Sequence, residues 1–293
     1  SDVCSSDLGC ALRYFEDQVP DSVEILKSSK SLLYDMDISD PLSIPIMQRA
    51  IEFYEYFHEK CPTMEYMGRP VLPPRGLPGA GTDGPFTVAF KLRGATELCL
   101  DIYEDPQYVH DLLSFITETT IKRIQAVRQY LVERGHASSE EFAVPGWGFA
   151  DDAVEMLSPA IYREFVLPYH RRLVEAFAGG GPVSMHLCGD ASHMYPVLAE
   201  ELGANSFDTG FPVDHGALRR QLGPDIEILG GPSIMLLKNG PTEAVAQETK
   251  RILQSGVTEG KKFILREGNN VAPGTSLSHL QVMYEAAKEY GRY

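Results

Sequence analysis

The sequence predicts an α/β fold, a (β/α)8 barrel in preference to an open doubly wound sheet, on three observations. From about residue 84 onward, short β-type runs alternate with capped amphipathic helices, the pattern of a parallel sheet covered by helices. No G-x-G-x-x-G follows any strand candidate, which removes the main support for a dinucleotide-binding sheet. The chain has 293 residues, a length compatible with one barrel rather than two ordinary domains.

Taken in order, residues 1–34 read as an irregular segment and residues 35–293 as the barrel domain. The opening SDVCSSDL has no initiator Met and no periodicity, and reads as translated adapter sequence joined to a fragment. On that reading Cys4 is foreign and the barrel is N-terminally truncated. PFTVAF, residues 85–90, is the first strand candidate. A long helix follows, capped by Asp105, opened by Pro106, striped with Leu112, Leu113, Ile116, Ile121, Ile124, Val127 and Leu131, and closed by Gly135. FAVPGW, residues 142–147, is the next strand, and a helix starts at Ser158 and Pro159, kinks at Pro168 and ends at a glycine run. PVSMHL is a strand, the segment closed by Gly203 a short helix, and ANSFDTG and IEILGG strands. PTEAVAQETKRILQSG is a helix, KKFILREG the last strand and the segment from Leu277 the last helix, with Tyr284, Tyr290 and Tyr293 as outer packing.

Composition narrows the partners. The formal charge of −15 repels phosphate backbones and anionic membrane surfaces, so nucleic acid is not expected. No apolar run approaches the ~20 residues of a membrane helix, and no basic region with an apolar run follows the N-terminus. A cytoplasmic protein with no membrane contact is expected. Five cysteines without regular spacing do not form a disulfide framework, so reduced thiols are expected.

In a barrel, chemistry sits at the carboxyl ends of the strands. Reading those ends in order gives Lys91 and Arg93, then Trp147 with Asp151 and Asp152, then His186, Cys188 and Asp190, then Asp208, then Gly230 and Gly231, and finally Arg266, Glu267, Asn269 and Asn270. His186 and Cys188 are two apart, so on an extended segment both point to one side and both suit zinc. A hydrogen-bonded His beside a buried Cys is the simpler alternative. Asp151 and Asp152 precede a helix and could equally favour its positive end. Trp147 reads as a core or pocket wall, Gly230 and Gly231 as a tight turn, and Met185, Met194 and Met235 as packing.

Four blocks carry a family resemblance: GPFTVAFKLRGATELCLDIYEDPQYVHDLLSFITE, DDAVEMLSPAIYREFVLPYHRRL, HLCGDASHMYPVLAEELGANSFD and FILREGNNVAPGTSLSHL. Together, over residues 35–293, they resemble the uroporphyrinogen decarboxylase superfamily, which includes the decarboxylases of haem synthesis and zinc-dependent methylcobalamin:coenzyme M and other corrinoid methyltransferases. The resemblance implies a distorted (β/α)8 barrel. His186 to Gly189 is similar to the methyltransferase branch, in which that His and Cys hold zinc together with a Cys in the last-strand loop. Here Asn269 takes that Cys position, and Glu267 is the nearby anionic substitute. The decarboxylases' R-Q-A-G-R motif is absent, and Lys91, Arg93 and Arg266 are scattered rather than clustered for a polycarboxylate.

The resemblance therefore implies methyl transfer from methylcobalamin on a corrinoid partner protein to a small thiol, or use of a related methylated substrate, with Zn2+ held by His186, Cys188 and Glu267. Asp151 and Asp208 join His186 as catalytic residues, Asp208 by fixing the imidazole. Lys91, Arg93, Trp147, Asp152, Arg266 and Asn269 are the expected substrate-binding residues. A homodimer is expected. Cofactor-free decarboxylation of uroporphyrinogen, with Asp151 or His186 as acid, and a non-catalytic corrinoid-binding barrel are the alternatives.

Overall fold

The computed structural model describes residues 8–16, 20–37, 39–77 and 81–291. Cys4 and Tyr293, singled out above, lie outside the described residues. The chain divides into two compact units, residues 1–145 with 168–179, and residues 146–167 with 180–293. No described helix is long and apolar enough to cross a membrane.

The first unit is helical. α1 (Pro45–Lys60), α2 (Pro85–Arg93), α3 (Ala95–Glu104), α4 (Pro106–Glu133) and α5 (Leu167–Phe177) form it, the first residue of α5 belonging to the other unit, with two short antiparallel pairs, Leu12–Arg13 with Asp21–Ser22 and Glu65–Tyr66 with Arg69–Pro70. α4 follows the sequence signals closely: the Asp105 side chain accepts a hydrogen bond from the Tyr108 N–H, and the stripe from Leu112 to Leu131 is mostly buried. The expected strand PFTVAF is instead α2. Gly84 precedes Pro85 at the first turn, and Val88, Ala89 and Leu92 form a buried helical stripe packed toward α4. Two β-branched residues, Thr87 and Val88, in a short and mostly apolar run look like a strand, but tertiary packing on a long helix decides the matter.

That correction moves two cations. Arg93 is buried: its Nε donates to Asp101 Oδ2 at 2.7 Å and its Nη1 to the carbonyls of Leu26 and Lys27 at 2.7 Å each. Lys30 Nζ stands 2.6 Å from the same Asp101, and Lys91 donates to Asp21 at 2.7 Å. Neither Lys91 nor Arg93 lies at a strand end.

The second unit holds a parallel sheet in which β1 (Trp147–Ala150), β2 (Val183–Leu187), β3 (Ala204–Thr209), β4 (Glu227–Gly230) and β5 (Phe263–Leu265) pair successively in chain order, as along the arc of a barrel. Among the described residues no sixth strand joins it. The expected strand FAVPGW starts later than its apolar residues suggest: Glu141–Ala143 is a 3-10 turn, and the strand begins at Trp147. Alternation places Phe149, Val183, Met185, Leu187, Phe207, Ile228 and Phe263 on a buried face. The other face is polar along β2 and β3, with Ser184, His186, Ser206 and Asp208, and turns apolar at Leu229 and Ile264.

α6 (His215–Leu222), α7 (Ile234–Asn239), α8 (Thr242–Leu253) and α9 (Leu277–Tyr290) complete this unit. The helix expected to kink at Pro168 carries a π turn, Tyr162–Val166, ahead of α5. Met185 and Met194 are buried as expected, whereas Met235 is 57% exposed. Gly230 and Gly231 serve close approach rather than a turn, because a Cβ at Gly230 would meet His215 Nε2 and Thr209 Oγ1 at 2.4 Å each.

Candidate functional site

Parallel pairing puts the carboxyl ends of β1, β2 and β3 side by side. His186 lies in register with Ala150 on one neighbour and Asp208 on the other. The Asp151 N–H donates to the His186 carbonyl at 3.2 Å, which continues the ladder past β1. Asp151 is fully buried, while His186, Cys188, Asp152 and Asp208 are half-buried.

Asp208 Oδ2 lies 3.0 Å from His186 Nδ1. This carboxylate accepts the Nδ1 proton, so Nε2 is the nitrogen that faces the site and would bind an ion on giving up its own proton. His186 Nε2 is 3.0 Å from Cys188 Sγ and 3.9 Å from Asp152 Oδ1. The hydrogen bonds to Asp208 and then to Cys188 push the imidazole pKa up to about 10 against the effect of burial.

Among the described residues, Asp152, His186 and Cys188 form the group of metal-type donors, with ligand atoms within 4.8 Å of one another. Donors around tetrahedral zinc stand about 3.3–3.6 Å apart, given zinc–donor distances of about 2.0–2.3 Å. The 3.0 and 3.9 Å separations bracket that range, and a mixed nitrogen, sulfur and carboxylate set suits zinc, so the residues fit the ion. Asp152 also accepts a 2.8 Å hydrogen bond from the Cys188 N–H, which ties the loop after β1 to the loop after β2.

Glu267, expected as third ligand, is outside this group. It accepts from Arg266 Nη2 at 2.8 Å, while Arg266 Nη1 donates to Asp208 at 2.7 Å. Arg266 is thus engaged by two carboxylates. Asn269 donates from Nδ2 to Cys188 Sγ at 3.0 Å. Trp147 opens β1 and stacks on Phe149 with ring centroids 5.0 Å apart. Lys91 and Arg93 stay with Asp21 and Asp101 in the first unit.

Gly189, which closes the H-x-C-G block, and Glu155, which sequence reasoning missed, shape the loop after β2. Gly189 has φ +72°, and a Cβ there would overlap the Glu155 carboxylate. Burial pushes Glu155 above the usual carboxylate range, aided by the negative charges of Asp152 and Asp190, although the Asp190 N–H opposes this. Glycine after H-x-C was the available signal for Gly189; nothing in the sequence pointed to Glu155.

A parallel sheet whose functional side chains gather on the loops at its carboxyl edge is the scaffold of barrel-type α/β proteins. The chain belongs to the uroporphyrinogen decarboxylase (URO-D) family, whose model matches residues 3–290. It is 29% identical over 213 residues to the methylated-thiol–coenzyme M methyltransferase of Methanosarcina mazei, covering 70% of this chain and 51% of that protein. It is 30% identical to the uroporphyrinogen decarboxylase of Myxococcus xanthus, over 65% of this chain and 50% of that protein. A methylcobamide:CoM methyltransferase of Methanosarcina acetivorans is 25% identical, over 71% of this chain and 56% of that protein. The chain thus spans about half the length of the curated relatives it matches. A solved methyltransferase from Methanosarcina mazei shares the fold, with a TM-score of 0.70 at 18% identity over 99% of this chain and 78% of that one.

Proposed function

We propose that this protein is a zinc-dependent, corrinoid-linked methyltransferase that moves a methyl group from methylcobalamin on a partner protein to a small thiol. The convergence of His186 Nε2, Cys188 Sγ and the Asp152 carboxylate carries the reading. His186, Cys188 and Asp152 would hold the ion, with Asp208 orienting the imidazole. When bound, zinc favours the thiolate form of a substrate thiol at neutral pH. The sulfur forms a bond to the methyl carbon as the cobalt–carbon bond breaks, its electron pair remaining with cobalt. The thiol proton passes to water. The buried Asp151 ties the end of β1 to β2 through its backbone N–H, which donates to the His186 carbonyl.

Decarboxylation of uroporphyrinogen has relatives in its favour but less support from the site. A substrate with eight carboxylates needs free cations, and Arg266 is shared between Asp208 and Glu267. The test is loss of the methylcobalamin absorption with coenzyme M and other small thiols as acceptors. The reading requires thiol-dependent demethylation that Cys188→Ser abolishes. Carbon dioxide release from uroporphyrinogen by chelator-treated protein, without methyl transfer, would establish the decarboxylase instead.

A further inference from the structure

We infer that Asn269 is a positioning residue whose amide NH2 hydrogen-bonds the Cys188 sulfur, making the site a one-sulfur centre with a damped thiolate. The inference rests on the metal reading above and concerns how this chain departs from the two-cysteine pattern.

The orientation of the amide decides the role. An Asn side chain offers an acceptor oxygen and a donor nitrogen, and only neighbouring groups of fixed polarity tell them apart. The Asn270 backbone N–H can only donate, and its partner is Asn269 Oδ1 at 2.8 Å. The nitrogen therefore faces Cys188 Sγ, at 3.0 Å. An amide nitrogen has no free lone pair for a metal, and the oxygen is already turned to the backbone. Asn269 holds a ligand without being one.

The same loop acts on the other donor. Arg266, three residues earlier, holds Asp208, which in turn holds His186. One segment after β5 thus supports the imidazole through Asp208 and touches the sulfur directly. The chemical consequence follows from charge. A hydrogen bond draws electron density from the sulfur, so Cys188 donates less to the ion than a bare thiolate would. Replacing a second thiolate by the Asp152 carboxylate makes the donor set harder. Both changes leave more positive charge for an incoming thiol.

Cobalt(II) in place of zinc reads this directly, because sulfur-to-cobalt charge transfer gives a near-ultraviolet band. Wild type is expected to bind one cobalt with a band that Cys188→Ser removes. In Asn269→Leu, and in Asn269→Ala should the larger side chain disturb the loop, the band moves to longer wavelength at unchanged cobalt content. In Asn269→Cys its intensity roughly doubles as a second sulfur enters. Cobalt bound with a sulfur band that neither Asn269→Leu nor Asn269→Ala moves would overturn this inference and leave the metal reading standing. Failure of wild type to bind cobalt or zinc would overturn both.

Discussion

Asp208 Oδ2 accepts two hydrogen bonds at once, from His186 Nδ1 at 3.0 Å and from Arg266 Nη1 at 2.7 Å. The carboxylate is therefore held from behind while it holds the imidazole in front, so Asp208 sets the ring orientation and Arg266, from the loop after β5, supports it.

Removal of either support is expected to weaken metal binding without removing a ligand. Asp208→Asn and Arg266→Met should each lower zinc affinity about 10–100-fold, the usual effect of losing a partner behind a histidine ligand. Competition with a chromophoric chelator measures this. Unchanged affinity in both variants would mean that the Asp208 contact does not orient a ligand.

Gly189 is expected to tolerate no side chain. Its φ of +72° disfavours any L-residue, and a Cβ would overlap the Glu155 carboxylate. Gly189→Ala should cost about 1–3 kcal/mol by thermal or urea unfolding. The double variant with Glu155→Ala should recover the steric part and leave the backbone part.

Arg93 is expected to be structural. Arg93→Met strips a nearly buried guanidinium from Asp101 and from the carbonyls of Leu26 and Lys27, at a cost of about 3–5 kcal/mol. The melting temperature should fall while the folded protein keeps its metal content. Intact stability with lost substrate affinity would restore the role that the sequence suggested.

His215 sets an acid limit on stability. It is 3% exposed, and burial, assisted by Arg251, pushes its pKa down to about 4. The unfolded chain, with an ordinary histidine value near 6.5, binds more protons between those two values. Stability from this group is therefore fully present above about pH 6.5 and lost as pH falls toward 4, by about 2–3 kcal/mol. Urea midpoints at neutral pH and near pH 4.5 should diverge in wild type and converge in His215→Gln.

The parts of the fold that were legible are those governed by local chemistry. Asp105 with Pro106 and Ser158 with Pro159 mark helix starts that the structure repeats, and β2 ends at Leu187, between His186 and Cys188. PFTVAF reads as a strand because a short, mostly apolar run does not distinguish a strand from a buried helix. Of the proposed donor set, His186 and Cys188 share a strand end and their spacing suggests them, whereas Asp152 comes beside them only through the pairing of β1 with β2. Glu267 was proposed from nearness in sequence to Asn269, and sequence nearness could not show that Arg266 claims its carboxylate.

The central claim is that Asp152 completes a zinc site with His186 and Cys188. Metal content of protein purified without added zinc, compared among wild type, Asp152→Asn and Glu267→Gln, tests it most directly. The expected result is one zinc per chain in wild type and in Glu267→Gln, with loss in Asp152→Asn. Zinc absent from wild type, or kept in Asp152→Asn and lost in Glu267→Gln, would contradict it.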